Sequence, residues 1–141
     1  MAITPNMFAV LLWFLLFIQM DTPATAQGEP LPLWEEGYLD IHHISTGCGD
    51  CTFCILPDGT TLLVDAGGRV SNAERQVPAR PNAERTPGDW IVDYIIRHFP
   101  MNRTKQIDYF LSTHFHLDHL AAFIDIAQSL PISKIIDRGY P

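Results

Sequence analysis

The apolar residues of this chain fall into short runs whose period changes along its length. Tyr38–Ser45 and Cys51–Leu56 read as two strands around a turn that holds Gly47 and Gly49. Pro57-Asp58-Gly59-Thr60 puts Asp-Gly at the centre of a hairpin and leads into a third strand, Thr61–Asp65. The period then lengthens. Trp90, Ile91, Tyr94, Ile95 and Phe99 recur at helical spacing, started by Pro87-Gly88-Asp89 and stopped by Pro100. This predicts a helix whose aromatic stripe faces the core. Ile107–Ser112 predicts another strand. Leu120, Ala121, Phe123, Ile124, Ala127 and Leu130 mark a second helix up to Pro131, and Ile132–Ile136 a last strand. Strands in succession, then helices packed on their sheet, indicate an α/β sandwich.

A polar stretch, residues 67–88, breaks this rhythm with Pro78, Pro81 and Pro87. It holds Asn-Ala-Glu-Arg twice, at 72–75 and 82–85, but four residues are too few to establish a repeat. A loop of this length inside a compact domain is usually functional or disordered. It leaves the strand end that carries Asp65.

The N-terminus reads as an address. Phe8–Met20 is an almost unbroken apolar stretch of 13 residues, and Ala24-Thr25-Ala26 supplies a small-x-small cleavage pattern. A signal-peptide core spans about 7–15 residues whereas a bilayer-spanning helix needs about 20. Residues 1–26 are therefore expected to be a signal peptide, 27–37 a linker and 38–141 the domain, exported to a periplasm or secreted, with no stable membrane span. No Lys or Arg precedes Phe8, so an uncleaved N-terminal anchor is the alternative.

Charge changes the picture little. Residues 1–26 contain one acid, Asp21, and no base, so their removal moves the formal charge from −7 to −6. A mildly acidic chain offers no clear patch for nucleic acid. It does not exclude a nuclease, since a pair of metal ions draws a phosphate locally.

The densest chemistry lies at Thr113-His114-Phe115-His116-Leu117-Asp118-His119. Three imidazoles and a carboxylate fall within six residues, between a strand and a helix. In an extended segment residues two apart point the same way, so His114 and His116 can grip one cation. Asp118 suits the N-cap of the following helix, and the turn there lets Asp118 and His119 face a second cation. Imidazole nitrogen with carboxylate oxygen suits zinc, and also iron or manganese. The competing reading is a histidine-rich loop without metal. One histidine would favour it; four ligand-type side chains at this spacing do not.

Thr113–His119 resembles the metal-binding signature of the metallo-β-lactamase superfamily. Leu62-Leu63-Val64-Asp65-Ala66-Gly67 is similar to its strand-ending aspartate-glycine motif. Tyr38–Asp50, closed by Gly47-Cys48-Gly49-Asp50, resembles the opening strand and turn of the branch related to competence (DNA-uptake) proteins. The resemblance runs from about Tyr38 to about Asp137. It implies the N-terminal half of an αβ/βα sandwich, with a mixed sheet and helices on one face. It also implies a hydrolase using a metal-bound hydroxide, with two zinc ions in the complete site. His114 and His116 would hold the first ion, Asp118 and His119 the second, with Asp118 also orienting water or taking its proton. Asp65 would brace a ligand histidine; its other reading is a turn carboxylate satisfied by the N–H groups of Ala66 and Gly67. The remaining ligands of such a site belong to a second half, and His42, His43 and His98 match no ligand position. The chain is thus expected to be one half of a longer protein, a truncated gene product, or a subunit needing a partner. Substrates in scope are phosphodiesters, β-lactams and other small-molecule esters or amides.

Cys48, Cys51 and Cys54 form C-x-x-C-x-x-C, which lacks the fourth ligand that structural zinc and iron–sulfur sites want. On one strand Cys51 and Cys54 point to opposite faces. Buried small apolar residues, with a Cys48–Cys51 bridge as a further option in an oxidising compartment, are expected. Two other function classes stay open: a catalytically inactive fragment or interaction domain, and a di-iron redox enzyme on the same ligands.

Overall fold

A computed structural model of the chain describes residues 30–68, 79 and 81–139. The expected signal peptide, the first Asn-Ala-Glu-Arg copy and half of the long polar loop lie outside the described residues.

The molecule is α/β, built on one five-stranded mixed sheet in the order β1-β2-β3-β4-β5. Strands β1 (Asp40–His43), β2 (Thr52–Ile55) and β3 (Thr61–Val64) form an antiparallel meander. The β2–β3 turn depends on Gly59, which sits at φ +81°, a conformation open to glycine. Asp58 accepts from the Thr60 N–H at 2.9 Å and fixes the turn. Helix α1 (Pro87–His98) then crosses to β4 (Ile107–Leu111), parallel to β3. Helices α2 (Leu117–Leu120) and α3 (Phe123–Ser129) cross to β5 (Ile132–Ile136), parallel to β4.

Alternation decides which sheet face is covered. Phe53, Ile55, Leu63 and Phe110 are buried and join Ile91, Ile95 and Ile126 of the helices in one core. Their strand neighbours Cys54, Leu62, Val64, Tyr109 and Leu111 stay half-buried on the other face, and Ile41 is 53% exposed. Truncating a buried residue such as Leu63 to Ala would cost about 2–5 kcal/mol.

Helix α1 has a complete capping box: Thr86 accepts from the Asp89 N–H, and Asp89 accepts from the Thr86 N–H. Such a cap contributes about 1 kcal/mol. Gly88 lets this helix start meet α3 closely, because a Cβ there would strike Asp125 and the Ala122 carbonyl. A polar staple ties the bottoms of β3 and β4. The buried Thr61 donates its N–H to Asp108 Oδ2 at 2.8 Å, and the Asp108 N–H donates back to Thr61 Oγ1 at 3.0 Å.

The strands match their expected positions to within a residue or two at the ends. The helix after the histidine motif differs: it is broken into α2 and α3. The Ala122 N–H, which would continue a single helix, donates instead to Ala66 O at 2.9 Å, tying this segment to the end of β3. The N-cap of α2 is His116 and not Asp118, which lies in the first turn. Within the expected linker, Trp34 packs against the core and donates its indole N–H to Tyr38 O. The three cysteines are free thiols, with no Cys48–Cys51 bridge. Cys51 is buried, which together with the nearby Asp65 charge pushes its thiol up to about 12 and makes it unreactive. No helix among the described residues is long and apolar enough to cross a membrane.

Candidate metal centre

Parallel strands present their carboxyl ends side by side, and ligands of open α/β sheets bind there. Val64 is paired with Leu111, so the chain leaves β3 at Asp65 next to where it leaves β4 toward Thr113. Asp65 has φ +56°, a left-handed conformation that aspartate tolerates better than most residues. Its N–H still donates to Leu111 O at 2.8 Å, so the ladder runs one residue past the strand while the side chain turns inward.

That side chain is the hub. Asp65 is 2% exposed. Oδ1 accepts from the Thr113 N–H at 2.8 Å, and Oδ2 accepts from the Thr113 hydroxyl at 2.7 Å and from His119 Nδ1 at 2.8 Å. Burial pushes its pKa up, but the hydrogen bonds from Thr113 and His119 together outweigh it and hold the carboxyl below its ordinary value. The N–H groups of Ala66 and Gly67 go elsewhere, to His119 O and Asp50 O, so they do not satisfy the carboxylate.

Proton accounting then fixes the rings. An ionised Asp65 only accepts, so His119 carries its proton on Nδ1 and leaves the lone pair on Nε2. The Thr113 hydroxyl spends its one proton on Asp65. Toward His114 Nδ1, 3.0 Å away, it can only accept, which puts the His114 proton on Nδ1 as well. Both rings therefore offer Nε2, the nitrogen a cation would take. The His114 ring lies 3.9 Å from that of His119 and 4.6 Å from that of His116, centroid to centroid. Asp118 Oδ2 is 3.9 Å from His119 Nε2.

Two glycines make the approach. A Cβ on Gly49 (φ +73°) or on Gly67 would collide with the Asp118 carbonyl, so both turns pack directly on the histidine loop. The Ser112 hydroxyl donates to His114 O at 3.0 Å. Phe115 and Leu117, between the histidines, are 43% and 70% exposed, and the Arg138 guanidinium lies 5.7 Å from the Phe115 ring centre.

All five residues singled out in the sequence thus lie in one neighbourhood: Asp65 buried beneath, His114 and His119 half-buried, His116 and Asp118 at the rim. Their donor set suits a divalent ion in kind. In number it falls short: among the described residues no group of three or more His, Cys, Asp or Glu side chains is placed to hold one. His42 and His43 do not complete it. His42 is buried against Tyr94 and His98, and His43 Nδ1 is paired with Thr52 Oγ1 at 3.0 Å. The role of Thr113 was not legible from spacing. Its one signal is a hydroxyl placed immediately before the first histidine. No family model matches the chain, and no curated protein or solved structure matches it.

Proposed function

We propose that the chain forms one half of a metal-dependent hydrolase of the metallo-β-lactamase type. The observation that carries this is the path Asp65–Thr113–His114 with its branch Asp65–His119, which leaves two imidazole Nε2 atoms free on rings 3.9 Å apart. Metal-bound histidines usually give their other N–H to a carboxylate or an oxygen in this way. His114 and His116 would hold one divalent ion, and Asp118 with His119 a second; zinc, iron or manganese all suit these donors. A divalent ion bound there would polarise the scissile bond and bring the pKa of a bound water toward neutrality.

The chain's own residues do the rest. Asp65 and Thr113 hold the rings in one tautomer, so no reorganisation is needed when charge develops. Asp118, 39% exposed in its side chain, would take or return a proton at the rim. Exposed Phe115 and Leu117 give the rim an apolar margin. The missing ligands would come from outside the described residues, and the half-exposed second face of the sheet supports a covering layer that would bring them.

Protein that also carries the remaining ligands, as a longer form or with a partner, tests this. Bound zinc with turnover of bis-p-nitrophenyl phosphate or nitrocefin, both lost in His116→Ala, is the expected result, whereas this chain alone should bind metal weakly and hydrolyse little. Activity kept in His116→Ala but lost in Cys48→Ala or Cys51→Ala would overturn it. A second reading, an inactive fragment or interaction domain, is favoured by the lack of a three-ligand group among the described residues, and folded protein with no metal affinity would select it.

A further inference from the structure

A cleft of about 310 Å³ opens between the end of β1 and the first two turns of α1. Its walls are Ile44, Pro87, Trp90, Ile91 and Tyr94, with Ser45, Thr46 and Asn82 also lining it. The volume is about twice the ~150 Å³ that accepts a benzene ring in an engineered protein cavity. A substituted or fused aromatic therefore fits, and a single small ion would not fill it.

The polar groups narrow the class. The chain has 16 acids against 9 bases, yet among the described residues this cleft is lined by Arg85 and the imidazole of His43 and by no Asp or Glu. Arg85 lies over the Trp90 ring at 4.6 Å and is held there by Asp93, an arrangement that leaves N–H groups to spare. The Trp90 indole N–H is itself buried, so Trp90 offers the cleft its ring. The Tyr94 hydroxyl is paired with His42 Nδ1 at 3.0 Å, and its ring adds a second aromatic face. Among the described residues the lining thus offers flat apolar walls, the Arg85 donors and no carboxylate.

The cleft also leads to the histidine loop. The Thr46 hydroxyl, in its wall, lies 2.7 Å from Cys48 O and 3.1 Å from Gly49 O, and Gly49 abuts the Asp118 carbonyl. Whatever touches Thr46 touches the turn that supports Asp118.

We propose that this cleft is a binding site for a planar aromatic group bearing a carbonyl or carboxylate oxygen, and that it seats the aryl arm of the substrate. The second half of the proposal rests on the hydrolase reading; the first does not.

The probe is 1-naphthoate, titrated calorimetrically into the full chain without added metal. One saturable site is expected. Arg85→Gln, which removes the cation from the lining, should weaken it about tenfold, the size of one hydrogen bond. Ser45→Trp, a bulky side chain placed from an exposed position, should abolish binding without moving the melting temperature. 1-Naphthylmethylammonium, with the opposite charge, should bind at least tenfold more weakly. No saturable naphthoate binding up to about 10 mM, equal affinity for the ammonium probe, or indifference to Ser45→Trp overturns the site. Because binding is read without metal or turnover, its failure leaves the hydrolase reading standing. Where turnover of bis-p-nitrophenyl phosphate is measurable, Ser45→Trp should raise KM with kcat little changed. An unaltered KM overturns the role as substrate arm.

Discussion

The molecule holds two groups of histidines, and they are built in opposite ways. His114, His116 and His119 lie where β4 passes into α2, half-buried or exposed, and the Asp65 carboxylate holds His119 directly and His114 through Thr113. His42 and His98 lie between β1 and α1, with ring centres 5.1 Å apart. His42 is buried; its Nδ1 meets the Tyr94 hydroxyl at 3.0 Å, but its Nε2 has no hydrogen-bond partner among the described residues. Asp40 is the nearest acid and stands at 4.0 Å, too far for a hydrogen bond. In the first group the surroundings assign the protons of His114 and His119 and leave a lone pair on each Nε2. In the second, burial keeps water from His42 and leaves its Nε2 without a partner among the described residues, while His98 Nδ1 donates to Tyr94 O at 2.9 Å. Histidine content alone therefore says little; the partner of the second ring nitrogen separates chemistry from packing.

The sharpest way to break the contrast is to remove the carboxylate. Asp65→Asn keeps the size and tolerates the left-handed backbone, but its one amide oxygen cannot accept from all three donors of Thr113 and His119, and its NH2 must face at least one of them. Zinc affinity and any hydrolysis should fall about 10–100-fold, the usual cost of losing such a partner, with partial rescue by excess zinc. Asp65→Ala should be no milder, since alanine at φ +56° adds backbone strain. Unchanged zinc affinity in both variants, measured by competition with a chromophoric chelator, would mean that Asp65 is only a turn residue.

Next in size is the Thr113 hydroxyl. Thr113→Val frees the His114 proton to occupy either nitrogen and should reduce zinc affinity about tenfold, a loss that Thr113→Ser should restore. Equal loss in both variants would trace the effect to the methyl packing and not to the proton.

Much of this was legible in the sequence, and the reasons differ by region. The strands announced themselves because each carries apolar residues next to Gly or Pro turns, and Ile132–Ile136 was delimited without error. The candidate ligands were legible because their spacing is local. What local spacing cannot carry is a bond between distant residues. The Ala122–Ala66 hydrogen bond joins positions 56 apart and divides a helix that the apolar pattern left whole. Thr113 and Asp65 meet across 48 residues, so the hydroxyl's part in setting a tautomer depends on β3 and β4 being parallel neighbours. The placing of His42 against α1 depends on the same kind of long-range pairing.

Acid should separate the two histidine groups by pH. His42 has its pKa lowered from the ordinary 6.5, first by burial and then by the neighbouring His98 charge, against a smaller opposing effect of Asp40. Its folded form resists a proton that the unfolded chain accepts. Stability is therefore unaffected by His42 well above pH 6.5 and declines as pH falls below that value, until the folded pKa is reached. The groups facing His42 are Asp40 on its own strand, Phe53 on β2, and Tyr94 and His98 on α1. Asp65 behaves in the opposite sense. Its folded pKa lies below the ordinary 3.8, so its contribution is intact above that pH and is lost only as pH falls further. Denaturant midpoints followed from pH 8 to pH 3 should fall first as pH drops below about 6.5, then again below about 4. His42→Phe, which keeps a ring beside Phe53 and Tyr94 but cannot be protonated, should flatten the first decline and leave the second. A first decline that persists in His42→Phe would assign it to another histidine, and the buried pair would then carry no acid sensitivity of its own.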